Sequence, residues 1–384
     1  MQNFAGTPKS VDFYLVVRYN IITTANDCIK RTEDCGARRG TTKADADGSL
    51  KFCNILKERI IMAKVKTFKT IFPAVSVPLN EDFTINETEF RVYLRWIKSF
   101  YGKGIEGLVC NGHTGEITGL TRAERKRVVE ICAEECGDVM TIISGVNCEN
   151  TQESIEMAAE AKAAGADGIL LMPPHMWLRF GMNPDAPFQY VKDVAEGAGI
   201  DIIIHLYPAT SKAFYPVETL IKMCKEIDHV KCIKMGTRVT SIYEHDVRLL
   251  RQECPDISLI TCHDETLCVS WFPGMDGALI GFAGCVPELI CPAREVFANP
   301  DKHTLKEAQD WSDRIYHISQ AIYGGGQPSG EAHARLKEAL YQRGIFSNAL
   351  MRKPVLPLNQ EEKDWVALGL ERSQLPKVDM EQYK

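Results

Sequence analysis

The chain has 384 residues, of which 45% are hydrophobic, and its formal net charge is -6 at pH 7. A chain of this length and apolar content can bury a large core, as one big domain or two modest ones. Its charges are dispersed, and no apolar run approaches the roughly 20 residues needed to span a bilayer, so we expect no nucleic-acid and no membrane partner.

Cysteine usage indicates the compartment. Fourteen cysteines without a recognisable signal peptide are typical of reduced thiols in the cytoplasm and not of a disulfide scaffold. Cys132 and Cys136 are four residues apart on a predicted helix, but no second ligand pair with metal spacing accompanies them. We therefore expect both to act as small hydrophobic side chains, and we predict no metal site.

Residues 1–61 look unlike the rest of the chain. Apart from residues 13–17 they lack hydrophobic periodicity, and residues 31–48 are polar, charged and glycine-bearing. The codons for Lys-Glu-Arg at 57–59 can spell a purine-rich ribosome-binding sequence shortly before Met62. Our hypothesis is that translation starts at Met62, and the alternative is a disordered N-terminal extension. The intact mass of the native protein distinguishes the two, because a mass that includes residues 1–61 rules out the later start.

From Thr67 onward, short apolar strands alternate with amphipathic helices. The pattern predicts strands at residues 70–75, 107–110, 140–144, 168–172, 201–207, 230–235, 257–261 and 277–281, with helices such as 121–135, 151–164, 216–227 and 286–297 between them. Continuous hydrophobicity indicates strands that are buried on both faces, as in a parallel sheet. The sequence therefore predicts a (β/α)8 TIM barrel over residues 62–300, followed by a C-terminal helical extension over residues 301–384.

Lys234 interrupts the apolar run of the sixth strand. With a period of two residues, Val230, Cys232 and Lys234 share one face of that strand. A lysine held inside a barrel loses hydration, which favours the neutral amine that can attack a carbonyl. The alternative is a lysine that reaches solvent from the strand end or pairs with a carboxylate elsewhere.

Further candidates stand where strands end, which is where TIM barrels place their active sites. His205 and Tyr207 share a face near the end of the fifth strand and can point inward beside Lys234, unless the histidine is satisfied within the core. The turn at residues 112–116 can direct backbone N–H groups toward an anion, or it is a generic turn. Gly281 after the eighth strand allows close approach of a ligand, or it forms a tight barrel corner.

Four features together resemble the dihydrodipicolinate synthase / N-acetylneuraminate lyase family. They are Gly-His-Thr-Gly-Glu at 112–116, the inward Lys234, the helix at 158–165 leading into Ala-Asp-Gly at 166–168, and Arg-Lys-Pro-Val-Leu-Pro-Leu at 352–358. The resemblance runs from about Lys66 to the region of Leu370. It implies a barrel with C-terminal helices, usually a homotetramer, whose lysine forms a Schiff base with pyruvate or another 2-keto acid and which needs no cofactor.

The same resemblance implies roles for the matching positions. Lys234 matches the lysine that forms the imine. Thr114 matches the second threonine of the family motif, whose hydroxyl and backbone hold the carboxylate of the keto acid. Gly112, Gly115 and Glu116 match their family counterparts in the same loop.

Two departures concern proton transfer. His113 stands where the family has the first threonine of the motif, so the relay role of that position does not carry over directly. Alignment on Pro208 places His205 where the family has its general acid/base tyrosine. Histidine can move protons near neutral pH, but a shifted strand end would let Tyr207 take the role.

Further departures concern the second substrate. Thr210 stands where the synthase binds a carboxylate with arginine, and the tyrosine pair of the fourth loop is replaced by Pro-His-Met-Trp at 174–177. We expect His175 and Trp177 to shape the distal part of the site for a less charged partner than that of the synthase. The segment at 208–216, which contains Lys212, resembles that of the hydratase-aldolase branch. Enzymes of this branch act on aromatic or sugar-derived 2-keto acids.

We therefore predict a metal-independent Schiff-base lyase or aldolase that acts on pyruvate or another 2-keto acid, and not a true dihydrodipicolinate synthase. One alternative is a 2-keto-3-deoxy sugar-acid dehydratase or hydratase-aldolase with the same imine chemistry. Another is a barrel that binds a keto acid without turnover, because the tyrosines of the family site are largely absent.

Overall fold

A computed structural model describes residues 66–324 and 329–384 of the chain. The hypotheses on residues 1–61 and Met62 lie outside the described residues. Within the described part, eight parallel strands form a barrel with helices between them, and more helices follow the last strand. The predicted (β/α)8 barrel with a C-terminal helical extension is confirmed, while the predicted domain boundaries stay predictions.

The elements follow the predicted order, with strand ends that differ by one or two residues. The strands are β1 Ile71–Pro73, β2 Gly107–Cys110, β3 Thr141–Val146, β4 Gly168–Leu171, β5 Asp201–His205, β6 Val230–Met235, β7 Ser258–Thr261 and β8 Gly277–Ile280. The helices of the barrel are α1 Glu87–Lys98, α2 Arg122–Cys136, α3 Thr151–Ala163, α4 Met176–Phe180, α5 Ala186–Ala198, α6 Val217–Glu226, α7 Thr240–Glu253, α8 Leu267–Trp271, α9 Phe282–Cys285 and α10 Pro287–Ala298. The C-terminal helices are α11 Leu305–Tyr323, α12 Gly330–Gln342 and α13 Gln360–Arg372.

From β2 to β8 each strand pairs with the next one in sequence, and β1 pairs with β8. The remaining gap lies between β1 and β2, where Ala74 and Val109 form a single parallel bridge. The amide of Val75 also donates to the Val109 carbonyl at 3.0 Å. These contacts close the circle. Within the described residues, no helix has both the length and the apolar character needed to cross a bilayer.

Every strand contributes one side chain to the barrel interior. This inner layer consists of Phe72, Val109, Ile143, Leu170, Ile203, Cys232, Ile260 and Leu279. Intervening residues such as Ile204 and Ile233 pack outward in the larger core cluster. Burial on both faces explains why the strands read as continuous apolar runs.

Positions two residues beyond the inner layer point into the C-terminal end of the barrel, because side chains alternate along a strand. Five of these positions line the space above the inner layer, namely Ala74, His205, Lys234, Cys262 and Gly281. Three of these five residues are small. The strand ends therefore leave open space above the inner layer, beside the histidine and the lysine.

The expectation that Val230 shares a face with Cys232 and Lys234 is wrong. The pairing of β5 with β6 shifts register between Ile202 and Ile203, which lie opposite Val230 and Cys232. This bulge inserts one extra residue into β6. Val230 consequently packs in the outer cluster, whereas Cys232 belongs to the inner layer and Lys234 lines the space above it.

Gly236 provides a test of this packing, because it follows β6 directly and lies against the end of β5. A Cβ atom at Gly236 would lie 2.0 Å from the carbonyl oxygen of Leu206. We predict that Gly236→Ala lowers the free energy of unfolding by about 1–3 kcal/mol, the usual cost of overpacking, as measured by urea denaturation. Gly330→Ala is the matched control, since a Cβ there meets nothing within 4 Å. Wild-type stability of Gly236→Ala would contradict the close approach of the two strands.

Candidate active site

A cavity of about 420 Å3 opens at the C-terminal end of the barrel, above the inner layer. Its wall combines strand ends, the loops that follow them, and residues from α11 and α12. Eight of the sequence-predicted site residues line it, namely Gly112, His113, Thr114, His175, His205, Tyr207, Lys234 and Gly281.

Lys234 and His205 lie side by side in the cavity wall, because they are paired residues on the neighbouring strands β6 and β5. Lys234 makes no hydrogen bond and no ion pair to any described residue. Burial lowers the pKa of its ammonium below the ordinary value of 10.5, although the nearby groups of Cys262 and Asp264 partly oppose this. A larger fraction of Lys234 is therefore the neutral amine than for an exposed lysine.

His205 is buried, and its Nδ1 atom has no hydrogen-bond partner. Burial, assisted by the charge of Lys234, lowers the pKa of this imidazole well below 6.5. The ring is therefore neutral at physiological pH and can accept a proton. A buried nitrogen without a partner is costly, and a bound ligand in the cavity can relieve that cost.

Tyr207 lies two residues past the end of β5 and contacts a second histidine. Its hydroxyl lies 3.4 Å from Nε2 of His113, whose ring stacks on that of His175 with centroids 6.5 Å apart. Burial raises the pKa of Tyr207 and lowers the pKa of His113 to about 3. The rings of His113 and Tyr207 are therefore neutral, and Tyr207 can donate a proton rather than carry a charge.

The turn at residues 112–116 leaves donors free. The amide of Glu116 donates to the His113 carbonyl at 3.0 Å, and the amide of Ile117 donates to the Gly112 carbonyl at 3.2 Å. The amides of residues 113–115 donate to no described residue. Free amides beside the hydroxyl of Thr114 suit a carboxylate, and we call residues 112–116 the carboxylate loop.

Gly281 keeps the space next to this loop open. A Cβ atom there would lie 3.4 Å from Oγ1 of Thr114 and 2.7 Å from Cδ1 of Leu336. The hydroxyl of Tyr323 would lie at 3.4 Å as well. Any larger residue would fill the gap between the carboxylate loop and the C-terminal helices.

The lining residues that the sequence did not predict include Arg238, Asp264, Tyr323 and His333. Arg238 forms an ion pair with Glu265, so its charge is already balanced. Burial raises the pKa of Asp264 to about 7. Arg238 and Asp264 follow strand ends, so the rule that identified His205 could have found them. Tyr323 and His333 belong to C-terminal helices, whose packing against the barrel cannot be read from strand patterns.

Three residues predicted to bind substrate are absent from the cavity wall. Trp177 packs edge-on against Tyr190 and Tyr215, with ring centroids 5.6 and 6.3 Å away. Lys212 is exposed and donates to the carbonyl of Arg179 at 3.1 Å. Gly115 packs against the segment that follows β1, because a Cβ there would lie 2.9 Å from the carbonyl oxygen of Val75.

The described residues hold no group of three or more histidine, cysteine or acidic side chains that could bind a metal ion. Cys132 and Cys136 are buried thiols on α2, and Cys136 donates to the carbonyl of Leu94 at 3.7 Å. Both belong to the outer core cluster, as small hydrophobic side chains do.

Comparison with known proteins gives one family. The model of the dihydrodipicolinate synthetase family matches residues 67–372. The 4-hydroxy-tetrahydrodipicolinate synthase of Bartonella bacilliformis is 26% identical over 311 residues, covering 80% of this chain and 99% of that protein. The corresponding enzyme of Methylobacterium radiotolerans is 27% identical over 285 residues, covering 73% of this chain and 88% of that protein.

Solved structures agree on the fold. One is YagE from E. coli K12, a prophage protein of the same family that was solved in complex with pyruvate. It superposes with a TM-score of 0.72 at 19% identity, and the match covers 81% of this chain and 100% of the YagE chain. Dihydrodipicolinate synthase from Aquifex aeolicus has a TM-score of 0.71 at 18% identity, and the match covers 81% of this chain and 100% of that chain. The chain belongs to the dihydrodipicolinate synthetase family.

Proposed function

We propose that the protein is a Schiff-base lyase or aldolase that acts on pyruvate or another 2-keto acid. The observation that carries this proposal is Lys234, a desolvated amine that forms no ion pair with any described residue, in a cavity that also offers free amides for a carboxylate. Members of the family are lyases that use a covalent lysine imine and no external cofactor. The structural relative YagE was solved with pyruvate.

The first step joins the keto acid to the protein. Thr114 and the amides of the carboxylate loop bind the carboxylate and hold C2 near Lys234, which makes the attack effectively unimolecular. The lone pair of the amine forms the C–N bond while the carbonyl pair moves to oxygen. That oxygen takes up one proton released by the attacking nitrogen and one from a general acid and leaves as water, while the nitrogen lone pair forms the C=N bond of the iminium on Lys234.

The second step uses the iminium as an electron sink. A base removes a proton from C3, and the C–H pair flows toward the nitrogen to give an enamine that can attack an aldehyde. Run in reverse, the same sequence cleaves the C3–C4 bond. We favour His205 as the base, because its imidazole is neutral and its Nδ1 has no partner. Tyr207, which is hydrogen-bonded to His113, is the alternative base. Its hydroxyl is also suited to donate a proton to the carbonyl oxygen that leaves as water in the first step.

The distal end of the cavity favours a partner without a second carboxylate. Arg238 is the sole guanidinium among the described lining residues, and its charge is paired with Glu265. Thr210, at the position of the synthase arginine, is exposed. His175 and Leu178 line this region instead. We therefore propose an uncharged aldehyde as partner, in preference to the substrate of the synthase.

We place this activity in the cytoplasm and in a homotetramer, as the sequence predicted. The thiols support the compartment, since no cysteine in the described residues forms a disulfide. One structural relative is described as a monomeric dihydrodipicolinate synthase variant, so the fold itself does not require a tetramer. Light scattering of the purified protein tests this point, and a mass of one or two chains would contradict it.

Imine formation can be tested without knowledge of the second substrate. Because the iminium acidifies C3, we predict that the protein exchanges the methyl protons of pyruvate with D2O, seen as loss of the methyl signal in proton NMR. Lys234→Ala should abolish the exchange. Lys231→Ala is the matched control, since Lys231 is an exposed lysine on the same strand and should keep the wild-type rate. Exchange that persists in Lys234→Ala would refute the imine.

The same assay assigns the base. We predict that His205→Asn slows the exchange by about 10²–10⁴-fold, the usual contribution of a general base, and that Tyr207→Phe slows it less. Because the pKa of His205 lies well below 6.5, the neutral base persists as the solution becomes acidic. At saturating pyruvate, where Lys234 is already held as the imine, the maximal wild-type rate should therefore not fall as pH decreases through 6.5. A larger loss in Tyr207→Phe, or a rate that halves near pH 6.5, would assign the base to another group.

A further inference from the structure

One face of α12 is turned toward the active site. His333, Leu336 and Lys337 stand at positions i, i+3 and i+4, which lie on the same side of a helix. His333 lines the cavity, and Leu336 is the side chain nearest to a Cβ placed on Gly281. Lys337 reaches the carboxylate loop itself. The C-terminal extension therefore forms a wall of the site that holds the keto acid.

The contact between Lys337 and the loop is a buried ion pair. The side chains of Lys337 and Glu116 are only 1% and 7% exposed, and the ammonium donates to Oε1 of Glu116. It also donates to the carbonyl of Leu350 at 2.7 Å. The second carboxylate oxygen of Glu116 accepts the amide of Arg352 at 2.6 Å. Both charges are thus bonded on two sides, which such burial requires.

Glu116 needs such support because of its backbone. Its φ is 58°, in the left-handed region that residues other than glycine seldom adopt. Its amide closes the turn onto the carbonyl of His113 at 3.0 Å. A conformation of this kind persists only where the surroundings enforce it. The ion pair with Lys337 and the hydrogen bond from the amide of Arg352 tie the end of the carboxylate loop to the C-terminal extension.

We propose that Lys337 of the C-terminal extension is a positioning residue for substrate binding, which holds the free amides and Thr114 of the carboxylate loop in place through Glu116. The lysine does not touch the substrate. Loss of the pair lets the loop relax and weakens binding of the keto-acid carboxylate, while imine chemistry at Lys234 remains intact. This inference rests on the proposed function, because the loop is assigned to the carboxylate there.

The test is the pyruvate concentration that gives half-maximal exchange of methyl protons, measured together with the thermal midpoint. Three variants are compared: Lys337→Met, Glu116→Gln/Lys337→Met, and Arg335→Met as control. Arg335 also lies on α12, but it forms an ion pair with Glu362 of α13 and is absent from the cavity wall. The double variant is essential, because it removes both buried charges and so avoids the uncompensated glutamate that can unfold Lys337→Met.

We expect the double variant to have a thermal midpoint close to that of the wild type. Its pyruvate concentration for half-maximal exchange should rise by about tenfold or more. Loss of one hydrogen bond to a charged group has this size. Its maximal rate should stay near the wild-type rate, and Arg335→Met should match the wild type in both quantities. A double variant with wild-type half-saturation would overturn the inference and show that the pair only stabilises the fold. Absence of exchange in the wild type would instead overturn the proposed function, and this inference with it.

Discussion

Holding an ammonium inside the barrel costs hydration free energy that the nearby carboxyl group of Asp264 offsets only in part. A charged group moved from water into a protein interior loses several kcal/mol unless it is paired. The amine avoids much of that cost by giving up its proton. Lys234 makes no ion pair among the described residues, and burial lowers its pKa. The position that destabilises an ammonium is thus one that can supply a nucleophile.

The alternation of side chains along the strands gives this lysine its surroundings. The apolar inner layer closes the barrel below it, and the next layer up contains small residues such as Ala74, Cys262 and Gly281. Parallel pairing of β5 with β6 then puts His205 beside Lys234. Because the neighbouring rings are neutral, they can move protons without adding charge to the cavity. A reactive amine, a base and an open volume all follow from one periodic pattern.

The sequence predicted what depends on this periodicity and missed what depends on contacts between distant segments. The barrel, Lys234, His205 and the carboxylate loop follow from strand ends and a period of two. The bulge that turns Val230 outward arises from the pairing of β5 with β6, which no single strand encodes. His333 reaches the site because α12 packs back onto the barrel. Trp177 follows its strand as predicted, but its ring packs onto tyrosines of other segments and not into the cavity.

The central claim is that Lys234 forms an imine with a 2-keto acid. Borohydride reduction in the presence of pyruvate, read by mass spectrometry of the intact protein and of its peptides, tests it most directly. The account predicts one reduced pyruvyl adduct per chain, on the peptide that contains Lys234. A folded protein that carries no adduct with pyruvate or with longer 2-keto acids, or one that carries it on a different lysine, would contradict the account.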